Sequence, residues 1–266
     1  MMADAPFAGV WRRRLALKAA VASARMQKRG EQEEMLRDAF YLRMGEEDAG
    51  PAGRLLVAWR ALDRSAALDD DAVQHAADLL QVKMDDPLRA AIAKTRQLAA
   101  YNRPAPTLAA QAASLIFTRR PDAEVLALWL ADAALASRLG WPLPLPLLAA
   151  ALSHSSLRTQ ARRPSPGDGN WIEKCWAAYV RAALQACDLF GELERQSHKL
   201  LAVAPQLRAK QAPAVIEMLH NDDAVLPSAA GKLMTDRAAR RLFDRLVALG
   251  AVRELTGREN FRLYGL

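Results

Sequence analysis

Four arginines near the end of the 266-residue chain, Arg237, Arg240, Arg241 and Arg245, are spaced so that a helix gathers them on one side. A guanidinium keeps its charge at any ordinary pH, so four in a row offer anion recognition rather than proton transfer. Their paired N–H donors match phosphate oxygens and the O6 and N7 acceptors on the major-groove edge of guanine.

Other chemistries find little support. His75, His154, His198 and His220 are scattered, and none is spaced from another His, Cys or acidic residue as a zinc site requires. SHSS, Ser153 to Ser156, puts a histidine among serines, but a nucleophile also needs an orienting partner brought in from elsewhere. It reads as a helix-ending turn. GDG at Gly167 to Gly169 lacks the lysine and the preceding strand of a phosphate loop. The acidic clusters Asp69 to Asp71 and Asp222 with Asp223 read as helix capping and solvation. No catalytic residue, metal site or cofactor is expected, and a non-enzyme is favoured.

The elements that must position the arginines follow from the closing stretch TDRAARRLFDRLVALGAVRELTGRENFRLYGL, Thr235 to Leu266. Thr235 is an N-cap residue type. Winding about 100° per residue from Arg237 places Ala238, Ala239, Leu242, Phe243, Leu246, Val247 and Leu249 in one half of the helix. Arg237, Arg240, Arg241, Asp244, Arg245 and Ala248 fall in the other half. Gly250 suits a left-handed C-terminal cap, and the residues beyond it alternate as a β-hairpin with its turn at Thr256 to Asn260. Two shorter helices precede it, Pro213 to His220 and Pro227 to Leu233. Helix, helix, helix, hairpin is the order of a winged helix-turn-helix. Arg237, Arg240 and Arg241, early on the third helix, suit base edges; Lys232, Arg245 and Arg258 suit phosphates, with Arg253 and Arg262 assisting from the hairpin strands. The turn before Thr235 is one residue shorter than usual, with Met234 where glycine is common.

Charge distribution agrees. The net charge is +7, but 29 of the 37 basic residues are arginine, which rises together with alanine in GC-rich coding. Placement is more telling. Pro227 to Leu266 carries eight basic and four acidic residues, leaving a net +3 for the 226 residues before it.

Those residues read as an all-α multi-helix bundle. Helices are expected at Val10 to Arg29, Glu31 to Met44, Pro51 to Arg64, Asp70 to Gln81, Pro87 to Ala100, Thr107 to Thr118, Ala123 to Leu139 and Trp171 to Val203. In the last of these, Trp171, Cys175 and Tyr179 form a stripe that packs against other helices. RRPSPGDGN, Arg162 to Asn170, reads as a long surface loop within the bundle. The domains are therefore a helical bundle over 1–209 and a winged helix-turn-helix over 210–266.

Cys175 and Cys187 point to different faces of one helix and cannot pair; both are expected to be packed and reduced. WRRRLALKAA mimics the start of an export signal, but Lys18 interrupts its apolar part, and no apolar run is long enough to span a membrane. A cytoplasmic protein is expected.

The stretches WRRRLALKAA, GPAGRLLVAWR (Gly50 to Arg60), LGWPLPLPLLA (Leu139 to Ala149), LRAKQAPAVIEMLHNDDAV (Leu207 to Val225) and the closing motif resemble the bacterial family called domain of unknown function 1403. The resemblance runs from about Trp11 to the C-terminus. It implies kinship over nearly the whole chain and no activity. Proteins of that kind carry a further alanine-rich helical segment ahead of the tryptophan-arginine motif, where this sequence has ten residues, so apolar surface is expected near the first helices.

The functional expectation is a double-stranded DNA-binding protein of regulatory or replicon-maintenance type, whose bundle forms a homodimer or binds a protein partner. Two alternatives stay open: a winged helix that docks a protein, and an enzyme whose site converges only in three dimensions.

Overall fold

Alanine has the highest helix propensity and lets helices approach closely. The chain, seen in a computed structural model describing residues 4–42, 48–62, 68–159, 162–232, 234–258 and 260–266, is accordingly mostly helical. Its described residues form eleven α-helices. These are α1 (Ala8–Met26), α2 (Glu33–Tyr41), α3 (Gly50–Ala61), α4 (Asp70–Leu79), α5 (Asp86–Ala99), α6 (Ala105–Arg119), α7 (Glu124–Leu139), α8 (Leu148–Leu152), α9 (Trp171–Val203), α10 (Ala212–Asn221) and α11 (Asp236–Ala248). Two short strands, β1 (Arg253–Glu254) and β2 (Tyr264–Gly265), pair antiparallel. No helix among the described residues is long and apolar enough to cross a membrane.

The chain divides into two compact units. One, here the body, comprises Leu15–Leu36 and Asp48–Ala186; the other, the terminal unit, comprises Met1–Arg14, Arg37–Glu47 and Cys187–Leu266.

In the body, α7 is buried on all sides from Val125 to Ala136, the mark of a central helix. Its main neighbour is α6, whose Ala109, Ala110, Ala112 and Ala113 are wholly buried; α5 packs on both helices. The tryptophans find acceptors for their indole N–H groups: Trp129 Nε1 donates to the Ala58 carbonyl at 3.0 Å and Trp59 Nε1 to Ser23 Oγ at 2.9 Å. Trp171, Cys175 and Tyr179 are buried as their spacing predicts, but Cys187 is exposed rather than packed. The Arg162 to Asn170 loop is less superficial than its composition suggests. Pro164 and Pro166 are buried, and Arg163 forms a two-pronged ion pair with Glu124, at 2.7 and 2.5 Å.

In the terminal unit, Phe190 of α9 meets Phe7 at a centroid distance of 4.7 Å and Trp11 edge-on at 5.6 Å. The segment Pro227–Lys232 is a 3-10 helix rather than the expected α-helix; with Pro227, Ser228 and Gly231 in six residues it is too short and too poor in helix formers to nucleate one. Leu233 and the Lys232 side chain lie outside the described residues. The expected hairpin is present with short strands, in the register Arg253↔Gly265 and Glu254↔Tyr264. Val225 adds a third chain to it: its N–H donates to the Tyr264 carbonyl at 2.8 Å and its carbonyl accepts from Tyr264 N–H at 3.0 Å.

Candidate nucleic-acid interface

The helix α11 is delimited by residue types that fix its ends. Thr235 Oγ1 accepts from Ala238 N–H at 3.3 Å at the N-terminus. At the C-terminus Gly250 takes φ +66°, its N–H donates to the Val247 carbonyl at 2.8 Å, and Ala251 N–H donates to the Leu246 carbonyl at 2.9 Å. This is the Schellman closure, which needs a residue tolerant of left-handed backbone. The buried stripe is narrower than the half-cylinder expected: Ala239, Leu242, Phe243 and Leu246 are covered, whereas Ala238 and Val247 are exposed and Leu249 is half-buried. Phe243 is the anchor, fully buried and stacked on Tyr264 at 4.7 Å.

Arg237, Arg240, Arg241 and Arg245 are all exposed on the opposite side. Among the described residues, no carboxylate lies within ion-pair distance of any of them. They form one cationic face about 12 Å long, interrupted by Asp244. The hairpin arginines are placed differently. Arg258 pairs with Asp38 of α2, so an anion there competes with an existing partner. Arg262 is exposed and its Nε donates to the Arg258 main-chain carbonyl at 2.8 Å. Arg253 lies 3.5 Å from Glu192. The Lys232 side chain lies outside the described residues.

The hairpin's acidic residue faces its own turn. Glu254 accepts from Thr256 N–H at 2.7 Å and from Gly257 N–H at 3.0 Å. Burial pushes this carboxyl's pKa up, but those hydrogen bonds outweigh it and leave it below the usual glutamate value. The carboxylate holds the turn and keeps its negative charge there.

The base of the unit holds an ionic network that sequence reasoning missed. Asp223, read above as a solvated capping residue, has a side chain with no exposure and meets Arg37 Nε at 2.8 Å. Tyr41 Oη donates to Asp223 Oδ1 at 2.7 Å, and Arg14 Nη2 donates to a main-chain oxygen of Leu266 at 2.8 Å. The partners lie 182 to 252 positions apart, beyond the reach of any local pattern. Asp69, by contrast, does cap: its carboxylate accepts from Ala72 N–H at 3.2 Å at the start of α4.

Two polar clusters bear on the enzyme alternative. In the terminal unit Ser197 Oγ lies 2.9 Å from His220 Nε2, a serine–histidine contact that the sequence did not suggest. Ser197 is 1% exposed and burial lowers the His220 pKa, so the pair stands as a satisfied core contact without the access a nucleophile needs. In the body, Asp132 is wholly buried and accepts from Leu147 N–H at 2.9 Å, Leu148 N–H at 3.2 Å and Tyr179 Oη at 3.0 Å. Burial pushes its pKa up to about 7, against the pull of those three donors. The arrangement holds the start of α8 against α7 and α9. His154 is half-buried with Nδ1 3.0 Å from Ser156 Oγ, and His198 is exposed. Among the described residues no three His, Cys, Asp or Glu side chains come together as a metal site.

Compared with known families, the chain matches one along its entire length, residues 1–266, described as "Protein of unknown function (DUF1403)". It belongs to that family. No curated protein matches it.

Proposed function

We propose that the chain binds double-stranded DNA through α11, as a regulatory or replicon-maintenance protein, with the hairpin arginines on the adjoining backbone. The observation that carries this reading is the row Arg237, Arg240, Arg241 and Arg245, exposed and without carboxylate partners among the described residues, on a helix whose other face is anchored by Phe243. The order of elements supports it. Helix α10, the Val225 segment, the 3-10 helix, α11 and the β1–β2 hairpin follow the helix, strand, helix, helix, strand, strand order of a winged helix-turn-helix, with Val225 in the place of the first strand. The second helix departs from that pattern by being 3-10.

The test is the salt dependence of binding to a labelled duplex of mixed sequence, followed by anisotropy between about 50 and 200 mM salt. Each phosphate neutralised contributes about −0.9 to the slope of log K against log salt, so replacing Arg245 and Arg258 by alanine should flatten the slope by up to about 1.8, whereas the Arg237, Arg240 and Arg241 triple-alanine variant removes the base-edge contacts instead. Absence of binding at low salt by protein with full helical circular dichroism sinks the proposal. Selection from sheared genomic DNA then asks whether the wild type recovers a sequence motif that the triple variant loses.

A second reading has one observation of its own. Phe261, in the hairpin turn, is 74% exposed, which suits docking of a protein. Binding of that kind would persist as salt rises, whereas phosphate binding would not.

A further inference from the structure

Along the body portion of α9, Ile172, Trp176, Val180 and Leu184 recur every fourth residue and are 42%, 40%, 60% and 64% exposed. The exposed positions between them include Ala177 and Ala183, so the face is mainly apolar over roughly 18 Å of helix, with the exposed Glu173 beside Ile172. The opposite face of the same stretch, Trp171, Cys175, Ala178, Tyr179 and Ala182, is buried in the body. One helix thus has two apolar sides, of which one is covered.

We propose that a second copy of this chain covers the other, by antiparallel packing of α9 on α9 about a two-fold axis. Three features of the surface select this occupant. A row at i, i+4, i+8 and i+12 is the ridge that interdigitates with the same row of another helix. A two-fold axis at the level of Ala178 sets each Ile172 against the partner's Leu184 and each Trp176 against the partner's Val180, a large side chain facing a smaller one. Every contact then occurs twice, as an isologous interface requires. The second feature is a hollow of about 400 Å³ at the Ile172 end, whose apolar wall is Leu98, Leu115 and Ile172 and whose lining also includes Lys94, Arg103 and Arg119. The most exposed side chain of the row, Leu184, arrives there from the partner copy, so knob and hollow match at both ends of the pair. The third is area. The four side chains expose on the order of 400 Å² per copy, as large as the biggest apolar patch of an ordinary monomer. Twice that, with the walls of the two hollows added, comes to about 1,000 Å², the least that a specific interface buries. The inference stands apart from the DNA reading and uses none of its residues.

The experiment is the mass of the full chain in solution, by light scattering after size exclusion, across a dilution series. The expected mass is twice 29.2 kDa. Leu184→Glu and Ile172→Lys should each weaken association roughly a hundredfold or more, by burying an unmatched charge at both ends of the pair, with circular dichroism unchanged because both positions are exposed. Mixed one to one, the two variants should recover a dimer. The heterodimer sets the carboxylate introduced in one variant against the ammonium introduced in the other at one end, and leaves the native leucine–isoleucine contact at the other. A wild type that stays monomeric at the highest concentration overturns the proposal. So does a dimer that both variants leave intact, or a mixture that stays monomeric after each variant alone has lost the dimer.

Discussion

Replacing Asp223 by alanine probes the base on which the terminal unit is built. The Asp223 and Arg37 side chains are 0% and 6% exposed and meet at 2.8 Å, so their attraction acts largely out of water. Removing the carboxylate leaves the guanidinium buried without the group that faces its Nε and takes from Tyr41 the acceptor at 2.7 Å. Breaking one side of such a pair costs about 3–5 kcal/mol, a large share of a stability of roughly 5–15 kcal/mol. Asp223→Asn keeps the volume and an acceptor for Tyr41 and should cost less, about 1–3 kcal/mol. The discriminating variant is Arg37→Met with Asp223→Leu. With both charges gone no buried guanidinium is left without its counter-charge, and the double variant should be more stable than Asp223→Ala alone. Urea unfolding followed by circular dichroism gives all three values, with the slope m checked for constancy. An Asp223→Ala cost below about 1 kcal/mol, or a double variant less stable than the single, refutes the reasoning. Because Ala224 and Val225 follow directly and Val225 pairs with Tyr264, on which Phe243 stacks, Asp223→Ala should also weaken whatever α11 binds.

Two further outcomes follow from the same packing. Asp132 has its pKa raised by burial from 3.8 to about 7, so its contribution to stability is fully present below about pH 4, falls as pH rises to about 7 and is flat beyond. Comparing urea midpoints at several pH values, Asp132→Asn should lack this decline, and an identical profile for the variant would count against the burial argument. Gly9 sits where an added Cβ would come within 2.7 Å of Asn221 Cα, both in the terminal unit, so Gly9→Ala should lower the melting temperature and cost about 1–3 kcal/mol. A helix-interior Gly→Ala change without that contact would stabilise by about 1 kcal/mol, so the sign of the change decides the matter.

What was legible in the sequence is what local spacing encodes. Trp171 to Val203 is α9 at both ends, and α7 ends at Leu139 as expected, because alanine-rich periodicity and breaker residues act over a few positions. The end of the short α8 was legible in the SHSS turn, but its start was not: Pro142, Pro144 and Pro146 mask a five-residue apolar helix whose start depends on Asp132, fifteen positions upstream of Leu147. The cationic face of α11 was legible for the same reason as α9, since a helical wheel needs only the residues it draws. The pairing of Arg258 with Asp38, 220 positions away, was not. A boundary at 209/210 is likewise drawn from sequence order, which cannot register that 1–14 and 37–47 group with the tail. The α9 row lay in plain view, but its spacing alone does not tell a covered face from an open one; the neighbouring Trp171, Cys175 and Tyr179 stripe has the same period.

The composition of α11 bears on why its arginines are there. Arg237 and Arg241, and Arg241 and Arg245, are like charges four residues apart, an arrangement that destabilises a helix by about 0.2–0.5 kcal/mol per pair. Solubility alone does not call for it, because alternating glutamate and lysine would keep the face wet and add attraction instead. The helix tolerates the repulsion because Thr235 caps it, Asp236 opposes the dipole at its start, Arg245 suits its last turn and Phe243 locks it to Tyr264. A face held together against its own charge gains most from a polyanion. The same reasoning gives a sign to stability without DNA: Arg241→Glu, which turns two repulsive pairs into attractive ones and only the pair with Asp244 into a repulsive one, should raise the melting temperature of the free protein slightly while weakening its binding to a duplex.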